Sequence, residues 1–421
     1  MSISRTDKDS QYRYYLKFHR NPAMKIFGYD SFRRSIDILS LAFGIFDLDK
    51  QLKKTRVDII QIERYVKNHR SELKDILSDL VSYVLLEKVE IEFFKSNRIL
   101  IKNKFAFKMP TKPTITILFS GGIDSLAGIY WTIKQYSPEN NIEGVFCAHS
   151  DQAWTIHIVN NLYNQVLLKN NINMRTIYVP AITQSGYAQL RGFLYMLSAG
   201  AWMELLNSNT LVISECGPTM YQPRFGPFDL VTMTMHPFVV NTANQVLKLL
   251  LEKEIKLITP FEDMTKAEVM AASSFKEEAK TTHSCISQRF GTHDGTCYGC
   301  VIRRLGAIAA GVEDVEYINN PISDEKAQKE NLLSLLLFSQ DILLNYENIP
   351  LYEIENIESY NKKDLFRRFA LDNFAAIHLL IKKGTYVVKE AKSIYQDCAS
   401  EISSKVLDRR IEDIRNIKKF R

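Results

Sequence analysis

Thr114-Ile115-Thr116-Ile117-Leu118-Phe119-Ser120-Gly121-Gly122-Ile123-Asp124-Ser125 runs from a β-branched apolar stretch through two glycines into Ser125 to Gln135, whose apolar spacing is helical. Strand, glycine turn and helix in that order form the opening unit of a parallel α/β sheet. Two successive glycines let backbone N–H groups turn toward a common centre, and Ser120, Ser125 and the helix N-terminus add donors and positive dipole there. The loop is therefore predicted to cradle a phosphate. No lysine follows the glycines, so this is not the G-x-x-x-x-G-K-[ST] loop, and γ-phosphate chemistry of that kind is disfavoured. The plain alternative is an incidental Gly-Gly turn with Asp124 as a helix cap.

Outward from this unit the pattern repeats. Gly144 to Cys147, Arg175 to Val179 and Leu211 to Ser214 are short apolar runs suited to strands buried on both faces, and Trp154 to Lys169 and Gln189 to Leu206 read as the helices between them. The expectation is a doubly wound parallel α/β domain over residues 111–311, binding its ligand at the carboxyl ends of the strands. Residues 1–110 read as an α+β extension, with a strand in Tyr12 to Phe18 and a helix in Ser71 to Leu86, closed by the proline pair of Met109-Pro110-Thr111-Lys112-Pro113. Residues 312–421 read as helical, with Leu332 to Leu344 and Leu365 to Lys382 in register and the basic end Arg409 to Arg421 as a solvated helix.

Composition bounds the function. The 421 residues are 46% hydrophobic and 24% charged, ordinary for globular chains, which excludes collagen-like, mucin-like and disordered acidic classes. A net charge of +6, from 54 Lys+Arg against 48 Asp+Glu, permits nucleic acid as a partner without indicating it. The apolar stretch Phe193 to Met203 is too short to span a bilayer, and the polar start lacks an apolar leader, so a cytoplasmic protein without a membrane partner is expected. Six cysteines in so long a chain do not make a disulfide scaffold. Cys297-Tyr298-Gly299-Cys300 has the spacing that brings two thiolates onto one Zn²⁺, with Cys285 upstream at loop-closing distance. Buried free thiols are the alternative.

The hexamer Ser120 to Ser125 resembles the PP-loop of the ATP pyrophosphatases, which cut ATP between the α- and β-phosphates and leave an adenylated substrate. The likeness implies that the loop holds pyrophosphate, that Cys147-Ala148-His149-Ser150 receives adenine beside Ala148, and that Lys266 in Thr265-Lys266-Ala267-Glu268 neutralises phosphate charge. A helix start capped by Thr265 is the other reading of that segment. The late cysteines narrow the resemblance to the 7-cyano-7-deazaguanine synthases, the QueC family, which carry a fourth cysteine where this chain has Asp294. A carboxylate or an imidazole also binds Zn²⁺, so Asp294 or His293 is expected to complete the set with Cys285, Cys297 and Cys300; a three-thiolate site with weakened metal stays open.

In the same resemblance Arg191 faces substrate, where a guanidinium suits a carboxylate or α-phosphate. Glu215 suits the amidine edge of a guanine-like base, and an exposed loop carboxylate is the alternative. Ser185, Asp151, Tyr221 and Arg224 are weaker candidates without a role. The likeness spans roughly residues 112–311, while the extra length resembles the QatC type of QueC-like protein found in bacterial anti-phage operons. It implies ATP, Mg²⁺ held by Asp124, and adenylation of a 7-carboxy-7-deazaguanine-type carboxylate. Transfer then goes to ammonia or to the N-terminus of a partner protein from the same operon. A PP-loop enzyme acting on tRNA and an inert scaffold subunit are the competing readings.

Overall fold

The described residues of the computed structural model are 2–5, 14–17, parts of 35–46, 59–62, 69–85, 91–95, 112–149, 153–179, 189–221, 234–273, 275, 277–286, 292–345 and 360–420. Near the N-terminus, β1 (Ser2–Arg5) and β2 (Tyr14–Lys17) pair antiparallel, and β3 (Ile59–Ile62) pairs parallel with β4 (Glu92–Lys95). Between the last two lies α1 (Arg70–Leu85), which buries Leu73, Leu77, Leu80, Val81 and Val84, an i, i+3/i+4 stripe.

The sheet domain follows: β5 (Thr114–Leu118), α2 (Ile123–Tyr136), β6 (Asn141–His149), α3 (Ala153–Leu162) and β7 (Asn173–Val179). It continues with α4 (Arg191–Leu205), β8 (Ser208–Val212), α5 (Gly217–Tyr221), α6 (Pro237–Leu251), β9 (Lys256–Ile258), α7 (Lys266–Ser273), α8 (Glu278–Thr281) and α9 (Tyr298–Ala310). The five strands lie in the order β7-β6-β5-β8-β9 and every pairing is parallel, with Ile117 of β5 opposite Gly144 on one side and Val212 on the other. This is the doubly wound α/β sheet expected. The chain steps outward from β5 through β6 to β7, and α4 then carries it back past β5 to β8, so the order reverses at β5/β8. Such a reversal is where open α/β sheets form their ligand crevice, outside the strands' carboxyl ends.

Boundaries moved where polar residues begin a strand. β8 starts at Ser208 rather than Leu211, because Ser208 and Thr210 satisfy each other locally (Ser208 Oγ donates to Thr210 O at 3.0 Å) while their backbones pair with β5. The helix expected over Trp154 to Lys169 loosens into a π turn at Tyr163–Leu167 and a 3₁₀ turn at Leu168–Asn170, and Asn171 ends it at φ 55°. Strand β9 and helix α6 had not been expected. Pro237 at the first turn and His236 capping Phe238 N–H at 3.3 Å start α6.

Four more helices follow: α10 (Glu330–Leu344), α11 (Tyr360–Lys382), α12 (Lys389–Glu401) and α13 (Ser404–Arg415). The expected solvated helix at Arg409 to Arg421 is corrected. Leu407, Arg410, Ile411 and Ile414 form an inward stripe on α13, which packs on α7, α9 and α11. Phe420 then stacks on Phe261 with ring centroids 5.4 Å apart and donates its N–H to Ala272 O at 2.7 Å. Burial of apolar side chains at about 1.5–3 kcal/mol each outweighs the preference of the basic positions for water. Among the described residues no helix is long and apolar enough to cross a membrane.

Candidate active site and metal centre

At the crevice, β5 runs into the glycine loop. Gly121 takes φ +80°, a conformation that L side chains rarely adopt. Gly122 then stands at the N-cap of α2 with no side chain capping the first turn, so the N–H groups there stay available to an anion. Ser125 Oγ donates to Gly122 O at 2.8 Å and stands 3.4 Å from Ser120 Oγ, which accepts from Gly122 N–H at 3.3 Å. The hydroxyls thus brace the loop. His283 N–H donates to Gly121 O at 3.0 Å, tying the loop to the segment that carries Cys285.

Asp124 does not cap the helix. It is buried and receives a hydrogen bond on Oδ2 from Lys266 Nζ, while its Oδ1 is buried without a partner. Burial alone would lower the Lys266 pKa, but Asp124, Cys216 and Glu215 outweigh it and raise the ammonium above its ordinary value. Glu215 follows β8 across the crevice. Desolvation first and the Asp124 charge second push its pKa up to about 7, against the opposing pull of Lys266, Thr219 and Arg191. Arg191 opens α4 and is exposed, its helix start pressed so closely on Thr234 that a Cβ at Gly192 would stand 1.7 Å from Thr234 O. The fold therefore brings Asp124, Lys266, Glu215 and Arg191 into one electrostatic neighbourhood. Ala148 is fully buried near the carboxyl end of β6, next to the central strand. Tyr221 donates to Glu262 at 2.8 Å under the Lys362 ammonium, outside that group. The His149 side chain, Ser150, Asp151, Ser185 and Arg224 lie outside the described residues.

Lys266 owes its place to a helix cap that the sequence announced and to distant contacts that it did not. Thr265 and Glu268 form a reciprocal capping box, Thr265 N–H to Glu268 Oε2 at 2.8 Å and Glu268 N–H to Thr265 Oγ1 at 3.2 Å. Arg410 of α13 donates to Glu268 at 2.6 Å and to Asp372 of α11 at 2.7 Å, Arg368 of α11 donates to Glu268 at 2.6 Å, and Thr265 Oγ1 donates to Asp372. Burial would raise the Glu268 pKa, but the two guanidiniums outweigh it and hold the carboxyl low. The T-x-x-E spacing was a readable sign of the box; nothing local announces Asp372 or Arg410.

The cysteine cluster sits beneath the loop. Cys285, Asp294, Cys297 and Cys300 are all buried, and one ligand atom from each lies within 4.8 Å of the others. Cys285 Sγ and Cys297 Sγ are 3.8 Å apart. Two thiolates at ~2.3 Å from one zinc at the tetrahedral angle stand about 3.8 Å apart, so the donor set fits Zn²⁺. Asp294 Oδ1 also accepts the N–H groups of Thr296 (2.8 Å) and Cys297 (3.0 Å) at the start of α9, fixing the carboxylate's direction. A side-chain hydrogen bond from Cys300 favours the Cys297 thiolate and holds that thiol below its ordinary pKa. His293 lies outside the set, its Nε2 accepting Ser284 N–H at 3.1 Å. Fully buried Arg303 ties the cluster's segments together, bonding Asp314 (2.7 Å), Thr282 O (3.2 Å), Ser284 Oγ (3.3 Å) and Ala279 O (2.9 Å).

With this geometry in place, residues 147–311 match the family model described as QueC, queuosine biosynthesis protein QueC. No curated protein matches the chain. The match begins beyond the glycine loop and takes in Arg191, Glu215, Lys266 and the cysteine cluster.

Proposed function

Taking residues 147–311 as a QueC-like unit, we propose that the chain is an ATP-dependent synthase-type enzyme that adenylates the carboxylate of a 7-carboxy-7-deazaguanine-type substrate and passes the acyl group to an amine. A carboxylate oxygen attacks the α-phosphorus and pyrophosphate leaves; the amine nitrogen then attacks the acyl carbon and AMP leaves. The observation that carries this reading is the convergence at the β5/β8 crevice of an uncapped helix N-terminus with Lys266, Asp124, Glu215 and Arg191.

Catalysis in this reading is positioning and charge neutralisation. The first-turn N–H groups of α2 and Lys266 hold the β- and γ-phosphates as pyrophosphate departs, Lys266 exchanging part of its bond to Asp124 for the phosphates. Asp124 suits a Mg²⁺ bound with ATP, since its Oδ1 is a buried anionic acceptor without a donor. That ion would neutralise phosphate charge. Arg191 pairs with the substrate carboxylate or the α-phosphate, and Glu215, once ionised, accepts from the amidine edge of the base. Cys285, Asp294, Cys297 and Cys300 would hold a structural zinc that fixes the segment bonded to the loop.

The test is AMP and pyrophosphate release from ATP by the purified protein, with and without 7-carboxy-7-deazaguanine, and with ammonium or a partner protein added. Release dependent on the deazaguanine is expected, and the additive that accelerates it names the acceptor, ammonia or a protein N-terminus of the kind found in the anti-phage operons. Absence of release in every combination rejects the reading.

A further inference from the structure

Lys266 is the first residue of α7, and its reach to Asp124 depends on how that first turn is oriented. The turn is gripped from outside the sheet domain. Resting on the ATP reading above, we propose that Asp372 and Arg410 are positioning residues that aim Lys266 at the phosphates, which makes the C-terminal helices a working part of the ATP site.

A lysine stem has four rotatable bonds and would wander unless its backbone and its tip were both held. Asp124 holds the tip. The backbone is held by Thr265 and Glu268, on either side of Lys266, and each of these is fastened to the C-terminal helices. Asp372 takes the Thr265 hydroxyl, Arg410 takes Glu268 at 2.6 Å, and Arg410 joins the two by donating to Asp372 at 2.7 Å.

Thr265, Glu268, Asp372 and Arg410 are all buried. Buried ion pairs of this kind are poor stabilisers compared with apolar side chains of the same volume, because desolvation consumes most of their attraction. What they supply is direction: a guanidinium fork bonded to two carboxylates has one geometry, and a slipped α7 would leave charges unpaired. The charged groups converge on the turn that carries Lys266, whereas α13 elsewhere packs through Leu407, Ile411 and Ile414. The network is thus placed where orientation of Lys266 is decided.

The experiment measures the affinities of the full chain and its variants for ATP and for adenosine by calorimetry. Arg410→Gln and Asp372→Asn are expected to weaken ATP about tenfold and leave adenosine unchanged, with Arg410→Lys recovering part of the loss. In a Lys266→Met background Arg410→Gln is expected to cost nothing further, since its effect runs through the missing ammonium. Wild-type ATP affinity in Arg410→Gln and Asp372→Asn, alongside weak binding by Lys266→Met, would overturn the proposal and leave the ATP reading standing. Equal loss of ATP and adenosine overturns it as well, because general loosening spares neither. No ATP binding by the wild-type chain removes the ATP reading and this proposal together. Should Arg410→Gln not fold, hydrogen exchange on the wild type decides: ATP is expected to slow exchange in residues 404–415 together with 266–273, and protection of 266–273 alone overturns the proposal.

Discussion

The glycine loop and the ionic clamp on α7 face one crevice and are built in opposite ways. The loop is six consecutive residues whose work is done by backbone: a positive φ at Gly121, an uncapped helix start, and two serines bracing the turn. The clamp gathers Thr265, Glu268, Arg368, Asp372 and Arg410 from α11, α13 and the start of α7, its bonds from the C-terminal helices to Thr265 and Glu268 spanning 100 to 142 residues, and works chiefly through side chains. A backbone device tolerates most side-chain changes and fails when the chain's path is altered. A side-chain network fails when one member is removed, because the others are left buried and unpaired.

The largest expected effect follows from that asymmetry. Glu268→Ala removes the buried carboxylate that Arg410 and Arg368 share, leaving Arg410 with Asp372 alone and the Thr265 N–H without its acceptor, and is expected to cost about 3–5 kcal/mol in denaturant unfolding. A loss below ~1 kcal/mol would mean that water already satisfies the clamp, and the contrast with the loop would dissolve. Lys266→Met comes next. It keeps the stem's bulk and removes the charge, so pyrophosphate release is expected to fall ~10²–10³-fold, the range for deleting one group that neutralises developing charge. Retained activity would show that the loop acts without the cation held opposite it.

The same contrast explains what the sequence disclosed. The strand–glycine–helix unit, the C-x-x-C pair and the alternation of strands and helices are short-range patterns set by backbone conformation and periodicity, and all were readable. The resemblance to the QueC family offered Asp294 or His293 beside the three cysteines; Asp294 stands with them in a cluster that could hold a metal ion, while His293 accepts Ser284 N–H. Glu268 was readable as the closing member of the Thr265 box, but its bonds to Arg368 and Arg410, and the parts played by Asp372 and Arg410, were not. Each of these residues lies in a helix among many charged ones, and only the tertiary approach of α7, α11 and α13 separates them from their solvated neighbours. Arg410 was even placed in a solvated helix, since a basic run without its packing partners carries no sign of an inward face. Strand β9 escaped because it is three residues long with a half-exposed burial pattern.

Metal removal tests how far the loop depends on its surroundings. Chelation, or Cys300→Ser, is expected to abolish about one zinc per chain in elemental analysis and to cost about 2–4 kcal/mol of stability. ATP affinity is expected to fall several-fold with it through the His283–Gly121 bond. Unchanged ATP affinity in the metal-free, folded protein would make the loop self-sufficient. A smaller effect is expected from Gly121→Ala. The left-handed backbone costs about 1–2 kcal/mol for an L side chain, and the new Cβ would meet Val159 Cγ2 at 3.1 Å and Ile158 Cγ2 at 3.2 Å. The expected outcome is a modest drop in melting temperature with a larger drop in ATP affinity, whereas equal affinity would show that the loop's path is not what binds phosphate.

The smallest effect concerns Glu215, the residue through which the two flanks communicate electrostatically, since Asp124 raises its pKa and Lys266, Thr219 and Arg191 lower it. In the unfolded chain the carboxyl titrates near its ordinary 4.5, and in the folded protein near about 7. Between those values the native state keeps a proton that the unfolded chain has lost. The stabilisation from that proton is complete below pH 4.5 and disappears as pH rises through about 7. After allowance for the coupled neighbours this amounts to roughly 1 kcal/mol, read as a shallow decline of melting temperature from pH 5 to 8 that flattens in Glu215→Gln. Deazaguanine affinity should move the other way and rise through the same interval, because only the ionised carboxylate accepts hydrogen bonds from the amidine edge without giving up an acceptor. Opposed slopes that vanish together in Glu215→Gln would tie substrate recognition to the charge balance of the crevice, and a substrate affinity flat from pH 6 to 8 in the wild type would remove Glu215 from recognition.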